Sequence, residues 1–325
     1  MIISRTPFRI SFAGGGSDLA AYYTQEKGMV LSTSIDKYMY ITLHPYFHPD
    51  HSLLKYSKTE IVERTADIKH PIIREALTMY GISGVDISAT ADIPAGTGLG
   101  SSSSFTVGLL HALSAYKGKY ASKEYLSATA CDIEIKRLGE PIGKQDQYAA
   151  AYGGLNFITF HCDGKVSVEK LVVQPRQFVE LQDNLMLFYT GDVRLASQIL
   201  KEQSSNTTRN ADKRDNLRKM VGLAQELRRE LEENNIDAMG ELLHRSWVYK
   251  KELASGISNP KIDAWYETAL KCGASGGKLL GAGGGGFLLF YVSRDRQPAV
   301  RQALHELRQV EFRFDEVGSI IVYNN

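Results

Sequence analysis

The sequence predicts an α+β fold, and three observations carry that prediction. Segments with the two-residue period of half-buried strands share the chain with segments whose apolar residues recur every third or fourth position. The two kinds do not alternate in strict βα units. The length, 325 residues, gives room for one large domain or two ordinary ones with cores of their own.

The elements follow in order. Strand-like segments fall at 2–4, 9–13 and 39–43, with a glycine turn at 14–16 after the second. From Val85 the chain alternates: Val85, Ile87, Ala89, Ala91 and Ile93 share one face, and Asp86, Ser88, Thr90 and Asp92 the other. That pattern predicts a half-buried strand, ended by Pro94, which has no N–H to give. A helix is predicted from about 102 to 118 on the stripe Phe105, Leu109, Leu113, and a second from a Ser122 cap to 139. A short helix at 145–152, a strand at 155–160, and a strand followed by loop over 165–184, punctuated by Pro175, complete the first half. The domain boundary is placed there, giving units 1–180 and 181–325.

The second half opens with a buried strand at 185–189. Leu217, Met220, Val221, Ala224, Leu227 and Leu231 mark one face of a long charged helix. Asp237 is positioned to cap a helix running to about 256, and Asn259-Pro260 to start another ending near 273. A strand at 287–292, a helix at 298–308 and strands at 311–314 and 319–323 follow. No internal repeat is present.

The most specific stretch is DIPAGTGLGSSSS, residues 92–104. Gly96, Gly98 and Gly100 let the backbone turn sharply and come close to a ligand. Strand, glycine turn and helix N-terminus together aim unpaired N–H groups and the positive end of a helix dipole into the turn, which makes an anion site with phosphate as its natural occupant. A Gly-Ser linker would not be held between a patterned strand and a patterned helix. The P-loop spelling fails for want of its lysine, and the dinucleotide fingerprint fails because Ser101 stands where it needs glycine.

Three other patches are unlike scaffold. In RTPFRISFAGGGSDL, residues 5–19, a strand runs into three glycines and then Ser17-Asp18, so that a carboxylate either sits at the lip of a tight turn or caps the following helix. Glu134 precedes GKQDQY, residues 143–148, where Asp146 beside Lys144 is either a general base or a solvated helix start. In KLLGAGGGGFLLF, residues 278–290, five glycines between a lysine-bearing segment and a very apolar strand point to close backbone approach, to a ligand or to the first glycine loop.

Composition narrows the class. The chain is 43% hydrophobic and 23% charged with a net charge of +1, which gives no electrostatic case for nucleic acid or an anionic membrane. MIISRTPFRI lacks a signal-peptide pattern. The apolar stretch 279–292 is too short and too glycine-rich to span a bilayer. Three distant cysteines suggest neither a disulfide framework nor a thiolate metal site. The expectation is a cytoplasmic enzyme or binding protein, with a homodimer left open.

In this order, residues 5–18, 92–104 and 278–290 resemble the three motifs of the GHMP kinases, the family of galactokinase, homoserine kinase, mevalonate kinase and phosphomevalonate kinase. AGGGSDL, GKQDQYAAAYGGLNF and TGDVRLAS (190–197) are most similar to the branch that acts on heptose 7-phosphate. The GEHTDY-like stretch of galactokinases is absent.

The resemblance implies an N-terminal α/β domain like domain 2 of ribosomal protein S5 and a C-terminal ferredoxin-like α+β domain, with ATP and sugar in the cleft between them. It implies ATP and Mg²⁺ as cofactors and a sugar phosphate as the acceptor, phosphorylated on its anomeric C1 hydroxyl. The nucleotide loop falls on Pro94, Gly96, Gly98, Leu99, Gly100, Ser101, Ser102, Ser103 and Ser104. The Mg²⁺ ligands fall on Ser102 (with Ser103 or Ser104 as alternatives in the serine run) and Glu134. The catalytic aspartate falls on Asp146, and the basic residue of the first motif on Arg9. Substrate contacts fall on Gly15, Gly16, Ser17 and Asp18, and on Gly284 and Gly285 of the third motif. Lys144 and Arg194 are candidates for the substrate's existing phosphate, with simple solvation as the alternative. An unphosphorylated sugar, or a non-catalytic sugar and ATP sensor on the same fold, are the rival implications.

Overall fold

A computed structural model describes residues 1–191 and 196–325. The chain starts with β1 (Ile2–Ala13), α1 (Ala20–Tyr23), β2 (Gly28–Pro45), β3 (Ser52–Lys55) and β4 (Thr59–Val62). Next come α2 (Pro71–Tyr80), β5 (Val85–Ala91), α3 (Ser101–Tyr116), α4 (Lys123–Cys131) and a π-helical turn at Asp132–Arg137. The first half closes with α5 (Gln145–Tyr152), β6 (Leu155–Phe160) and β7 (Val166–Lys170). Then follow α6 (Pro175–Asp183), β8 (Leu185–Tyr189), α7 (Ala196–Arg209), α8 (Ala211–Glu232), α9 (Ala238–Lys251) and α10 (Pro260–Lys271). The last elements are β9 (Gly276–Leu279), β10 (Phe287–Tyr291), α11 (Gln297–Ala303), β11 (Arg308–Gln309), β12 (Phe314–Asp315) and β13 (Ile320–Asn324).

The α+β expectation holds. Two sheets form, and the β3–β5 pairing is the one parallel pair among the described residues. In the first sheet β1 and β2 pair antiparallel along almost their whole length. The register shifts at Pro7/Phe8, which is where a residue without an N–H can sit inside a ladder. The other edge of β2 is shared in succession by β6 at Gly28–Thr33, by β12 at Ser34 and Ile35, and by β5 at Met39–Pro45. The second sheet has the order β11-β8-β10-β9. Helix α8 lies against β1 and β2, and α9 against β9 and β10. One buried cluster runs from Phe8, Leu31 and Leu109 to Leu227 and Leu289, so the halves share a core; Trp247, Phe188 and Phe290 belong to a second cluster.

Several elements differ from expectation for physical reasons. The segments 2–4 and 9–13 are one strand, and the strand expected at 39–43 is the end of an 18-residue one. Its middle reads polar, but Ser32, Thr33 and Ser34 are all buried because neighbours cover both edges. Pro175 opens a helix rather than punctuating a loop, taking the first helical position, where its missing N–H costs nothing. Helices α2 and α7 were not anticipated. The helix expected to 139 divides into α4, capped by Ser122 as foreseen, and the π-turn. Asp237 precedes α9 without a side-chain capping bond, whereas Asn259 accepts from the N–H groups of Lys261 and Ile262. A division at 180/181 falls inside α6, and the chain's last strands return to the first sheet, β13 on β1 and β12 on β2. Among the described residues no helix is long and apolar enough to cross a membrane.

Candidate active site

The end of β1, the loop after β5, the start of α5, α9 and the glycine run after β9 together enclose a cavity of about 360 Å³. Its phosphate-like wall is the loop 92–104. Gly96, Gly98 and Gly100 all have positive φ, at 78°, 85° and 77°. Gly98 is the tightest: a Cβ there would lie 2.6 Å from the Leu280 carbonyl oxygen. Facing it, a Cβ on Gly281 would lie 2.5 Å from the Gly98 Cα. The third glycine run therefore approaches the first loop backbone to backbone, which settles one of the alternatives left open by the sequence. Helix α3 then starts at Ser101, and Ser101, Ser102 and Ser103 line the cavity with the free N–H groups of a helix N-terminus.

Arg9 and Asp146 meet at the centre. Arg9 Nε donates to Asp146 Oδ1 and Nη2 to Oδ2, both at 2.8 Å, while Nη1 donates to the Gly98 carbonyl at 2.6 Å. One buried guanidinium thus joins the strand, the glycine loop and the first turn of α5. Bidentate pairing of this kind fixes orientation as well as charge.

Glu134 points inward from the π-turn, where a bond from the Leu138 N–H reaches back to the Ile133 carbonyl. It is 1% exposed. Its carboxylate accepts from Ser102 Oγ at 3.0 Å and from Gln147 Nε2 at 2.8 Å. Burial pushes its pKa up to about 7, against the lowering effect of those two bonds. No lysine or arginine stands within salt-bridge reach of it among the described residues. A buried carboxylate without a cation, beside a hydroxyl and a phosphate-like loop, fits a hard cation. No group of three or more His, Cys, Asp or Glu side chains could hold a metal alone among the described residues. Mg²⁺ suits such a pair, since it retains water and takes phosphate oxygens for its other positions.

Asp18 lies on the opposite flank, 3% exposed, accepting from the Gly16 N–H at 2.8 Å and from the backbone and side-chain nitrogens of Gln145 at 3.3 Å. Burial, and then the nearby Asp146, raise its pKa. It braces the start of α5 and also lines the cavity.

Of the expected contacts, Gly15, Gly16 and Gly285 line the cavity with the residues above. Others are placed elsewhere. Lys144 does not line it: its ammonium donates to the Gly164 carbonyl at 2.6 Å and lies over the Tyr23 ring, because the chain turns it outward just before α5. Ser17 is buried, its Oγ donating to the Gly14 carbonyl and so locking the turn. Ser104 Oγ donates to the Pro7 carbonyl, and the Leu99 side chain is in the core with its carbonyl accepting from the Arg9 N–H. The Gly284 N–H is held by the Ile257 carbonyl. The Pro94 carbonyl accepts from Thr97 Oγ1, inside the loop. Arg194 lies outside the described residues. Ser17, Leu99, Ser104, Lys144, Gly284 and Pro94 are not among the residues that line the cavity.

Two groups were missed by sequence reasoning. Lys250 and Lys278 both line the cavity while 6% and 5% exposed. A signal existed for Lys250, which stands on the buried stripe of α9 with Met239, Leu243 and Ser246. Lys278 sits in a short strand whose four residues are all buried.

Two family models match this chain: "GHMP kinases N terminal domain" over residues 60–154 and "GHMP kinases C terminal" over 223–308, together more than half of it. The chain belongs to the GHMP kinases. As a GHMP kinase it is a phosphotransferase with an alcohol group as acceptor, from a family that uses ATP, generally with Mg²⁺. It is 29% identical to the D-glycero-alpha-D-manno-heptose 7-phosphate kinase of Campylobacter jejuni, over 94% of this chain and 93% of that one. It is 28% identical to the bifunctional fucokinase/GDP-fucose pyrophosphorylase of Arabidopsis thaliana, over 92% of this chain and 31% of that one. Its GHMP kinase fold matches the crystal structure of a D-glycero-D-manno-heptose 1-phosphate kinase from Bacteriodes thetaiotaomicron with a TM-score of 0.82, at 24% identity and over the whole of both chains.

Proposed function

We propose that this GHMP kinase moves the γ-phosphoryl group of ATP to the anomeric C1 hydroxyl of D-glycero-α-D-manno-heptose 7-phosphate, giving the 1,7-bisphosphate and ADP. The observation that carries the reading is the Arg9–Asp146 pair, set between a phosphate-type loop and Asp18 in one cavity. Phosphoryl transfer asks for position and charge neutralisation more than for covalent help. Backbone N–H groups of Gly96, Gly98, Gly100 and Ser101 to Ser103 receive the nucleotide phosphates. Ser102 and Glu134 hold Mg²⁺, which when bound offsets charge on the β- and γ-phosphates. Asp18, with the backbone of Gly15 and Gly16, fixes sugar hydroxyls, and Gly285 borders the acceptor.

Asp146 accepts the C1 hydroxyl proton as the new O–P bond forms and the bond to the ADP oxygen breaks. An anomeric hydroxyl is more acidic than an ordinary alcohol, so a carboxylate is a sufficient base for it. Arg9 orients that carboxylate and stabilises charge on the moving group. The similarity to the Campylobacter jejuni protein supports heptose phosphate as the acceptor.

The test is ADP release measured with a panel of sugars: the heptose with and without its 7-phosphate, fucose, galactose and a uronic acid. Preference for heptose 7-phosphate is the expected result. Equal turnover of the free heptose, or faster turnover of fucose or galactose, sinks the substrate assignment. Tight binding of sugar and ATP with no ADP from any sugar would mark a sensor instead.

A further inference from the structure

We propose that Lys250 and Lys278 form a two-point clamp for the phosphate that the acceptor sugar already carries, and so set the preference for phosphorylated over free sugar; this rests on the sugar-kinase reading above. Lys278 donates to the Phe12 carbonyl at 3.1 Å and Lys250 to Gln203 Oε1 at 3.1 Å, each its ammonium's one hydrogen bond among the described residues. Both partners are neutral, and no carboxylate lies within salt-bridge reach of either lysine among the described residues. An ammonium has three protons to place, and a buried one short of acceptors calls for an anion.

Their position selects which anion. Phe12 stands just before the Gly14 to Gly16 turn that carries Asp18, and a Cβ on Gly16 would lie 2.3 Å from Gln203 Nε2. Asp18 and Arg9 are the charges that bear on Lys250, and Lys250 and Arg9 those that bear on Lys278. The bonds to Phe12 and to Gln203, which packs on Gly16, set the pair beside the turn that carries Asp18. Around it, Ser11 Oγ, Gln145 Oε1 and Gln203 Nε2 are buried without partners, a set suited to the hydroxyls of a polyol. Burial drives both ammonium pKa values down, to about 8 for Lys250 and about 7 for Lys278; the Arg9 charge adds to it in both, and the Lys250 charge in Lys278. A dianion between them would restore both charges.

The experiment compares kcat/KM for heptose 7-phosphate and for the free heptose in wild type, Lys250→Met, Lys278→Met and the corresponding arginine variants. The ratio of the two sugars should fall roughly 10- to 100-fold in each methionine variant, the loss of a charge-assisted hydrogen bond. The fall should sit in KM for the phosphorylated sugar, and arginine should recover part of it. A ratio unchanged within about threefold overturns the clamp, as does an equal fall in kcat with both sugars, which would place the lysines on the transferring group. Melting of ligand-free protein guards against a structural explanation: losing a buried, under-partnered ammonium should raise the melting temperature. A lower melting temperature with an unchanged ratio assigns the lysines to scaffold and refutes the clamp. Wild type alone tests the parent reading: without preference for the phosphorylated sugar both ideas fall, whereas preference that survives in the variants removes only the clamp.

Discussion

Replacing Asp146 by asparagine separates orientation from proton transfer. Asp146 accepts two of the three side-chain hydrogen bonds made by Arg9. Asparagine keeps one oxygen acceptor and turns an N–H₂ group toward the other guanidinium proton, so one charge-assisted bond is lost and a donor faces a donor. Arg9 is 4% exposed, and water cannot easily replace the missing acceptor on its side. Losing a hydrogen bond to a charged group removes about 1.5–3 kcal/mol, and stripping a partner from a buried pair about 3–5 kcal/mol. The Asp146 side chain retains 25% exposure, which lets solvent recover part of that, so about 2–3 kcal/mol of stability should disappear in urea titration. The effect on chemistry should be larger: removal of a general base lowers kcat about 10²- to 10⁴-fold. Nucleotide affinity should hardly move, because the loop N–H groups are untouched. A kcat within about threefold of wild type removes Asp146 as the base, and an unchanged urea midpoint shows that the pair with Arg9 is solvated.

Two further outcomes follow from the same geometry. Burial raises the Glu134 pKa from 4.5 to about 7; since the folded value exceeds the unfolded one, its contribution to stability is full below about pH 4.5 and is lost as pH rises to about 7. That loss is on the order of 3 kcal/mol. Glu134→Gln should therefore outlast wild type in metal-free melts at pH 8, with the gap closing toward pH 4.5, and should lose Mg²⁺-dependent nucleotide binding; parallel pH curves for the two proteins would contradict this. Gly98→Ala forces a side chain into φ +85°, with its Cβ 2.6 Å from the Leu280 carbonyl oxygen. A cost of about 2–4 kcal/mol from backbone strain and displaced loop, together with a KM for ATP raised about tenfold, is expected from melts and initial rates; a wild-type KM would mean that the two glycine runs separate freely.

What the sequence discloses and what it hides divide along the range of the interactions. The glycine loop, the serine helix start, the Asn259 cap and the Leu217 to Leu231 stripe were legible, because each is decided within a few residues by positive φ, capping or helical period. The middle of β2 was not: no element was expected at Ser32, Thr33 and Ser34, and only strands from distant parts of the chain make them interior. The return of β13 to β1 likewise joins Ile2 to Asn324, a pairing with no local mark. In the site, the resemblance located Arg9, Asp18, Glu134 and Asp146, which the fold brings to one cavity. Lys144 misled because adjacency to Asp146 in sequence says nothing of direction at the start of a helix, where successive side chains diverge. Lys250 and Lys278 escaped because lysine is ordinarily read as surface.

The titration directions of the cavity groups carry a common message. Glu134 and Asp18 are pushed up and Lys250 and Lys278 down, and in all four burial is the largest cause. Each group is driven toward its neutral form, which is what desolvation does where the protein itself supplies little complementary charge. Such an arrangement is poorly suited to stabilising the fold, since apolar side chains would fill the same space more favourably. It is well suited to ligands that bring the missing charges on both flanks: a cation beside Glu134 and anions near Arg9, Lys250 and Lys278. Binding then restores ionisation of groups already fixed by Ser102, Gln147, Gln145 and Gln203, and the reorganisation that water would demand at the moment of transfer has been met during folding. On this account the stability forgone by burying these charges and the electrostatic help given to the transfer come from the same residues.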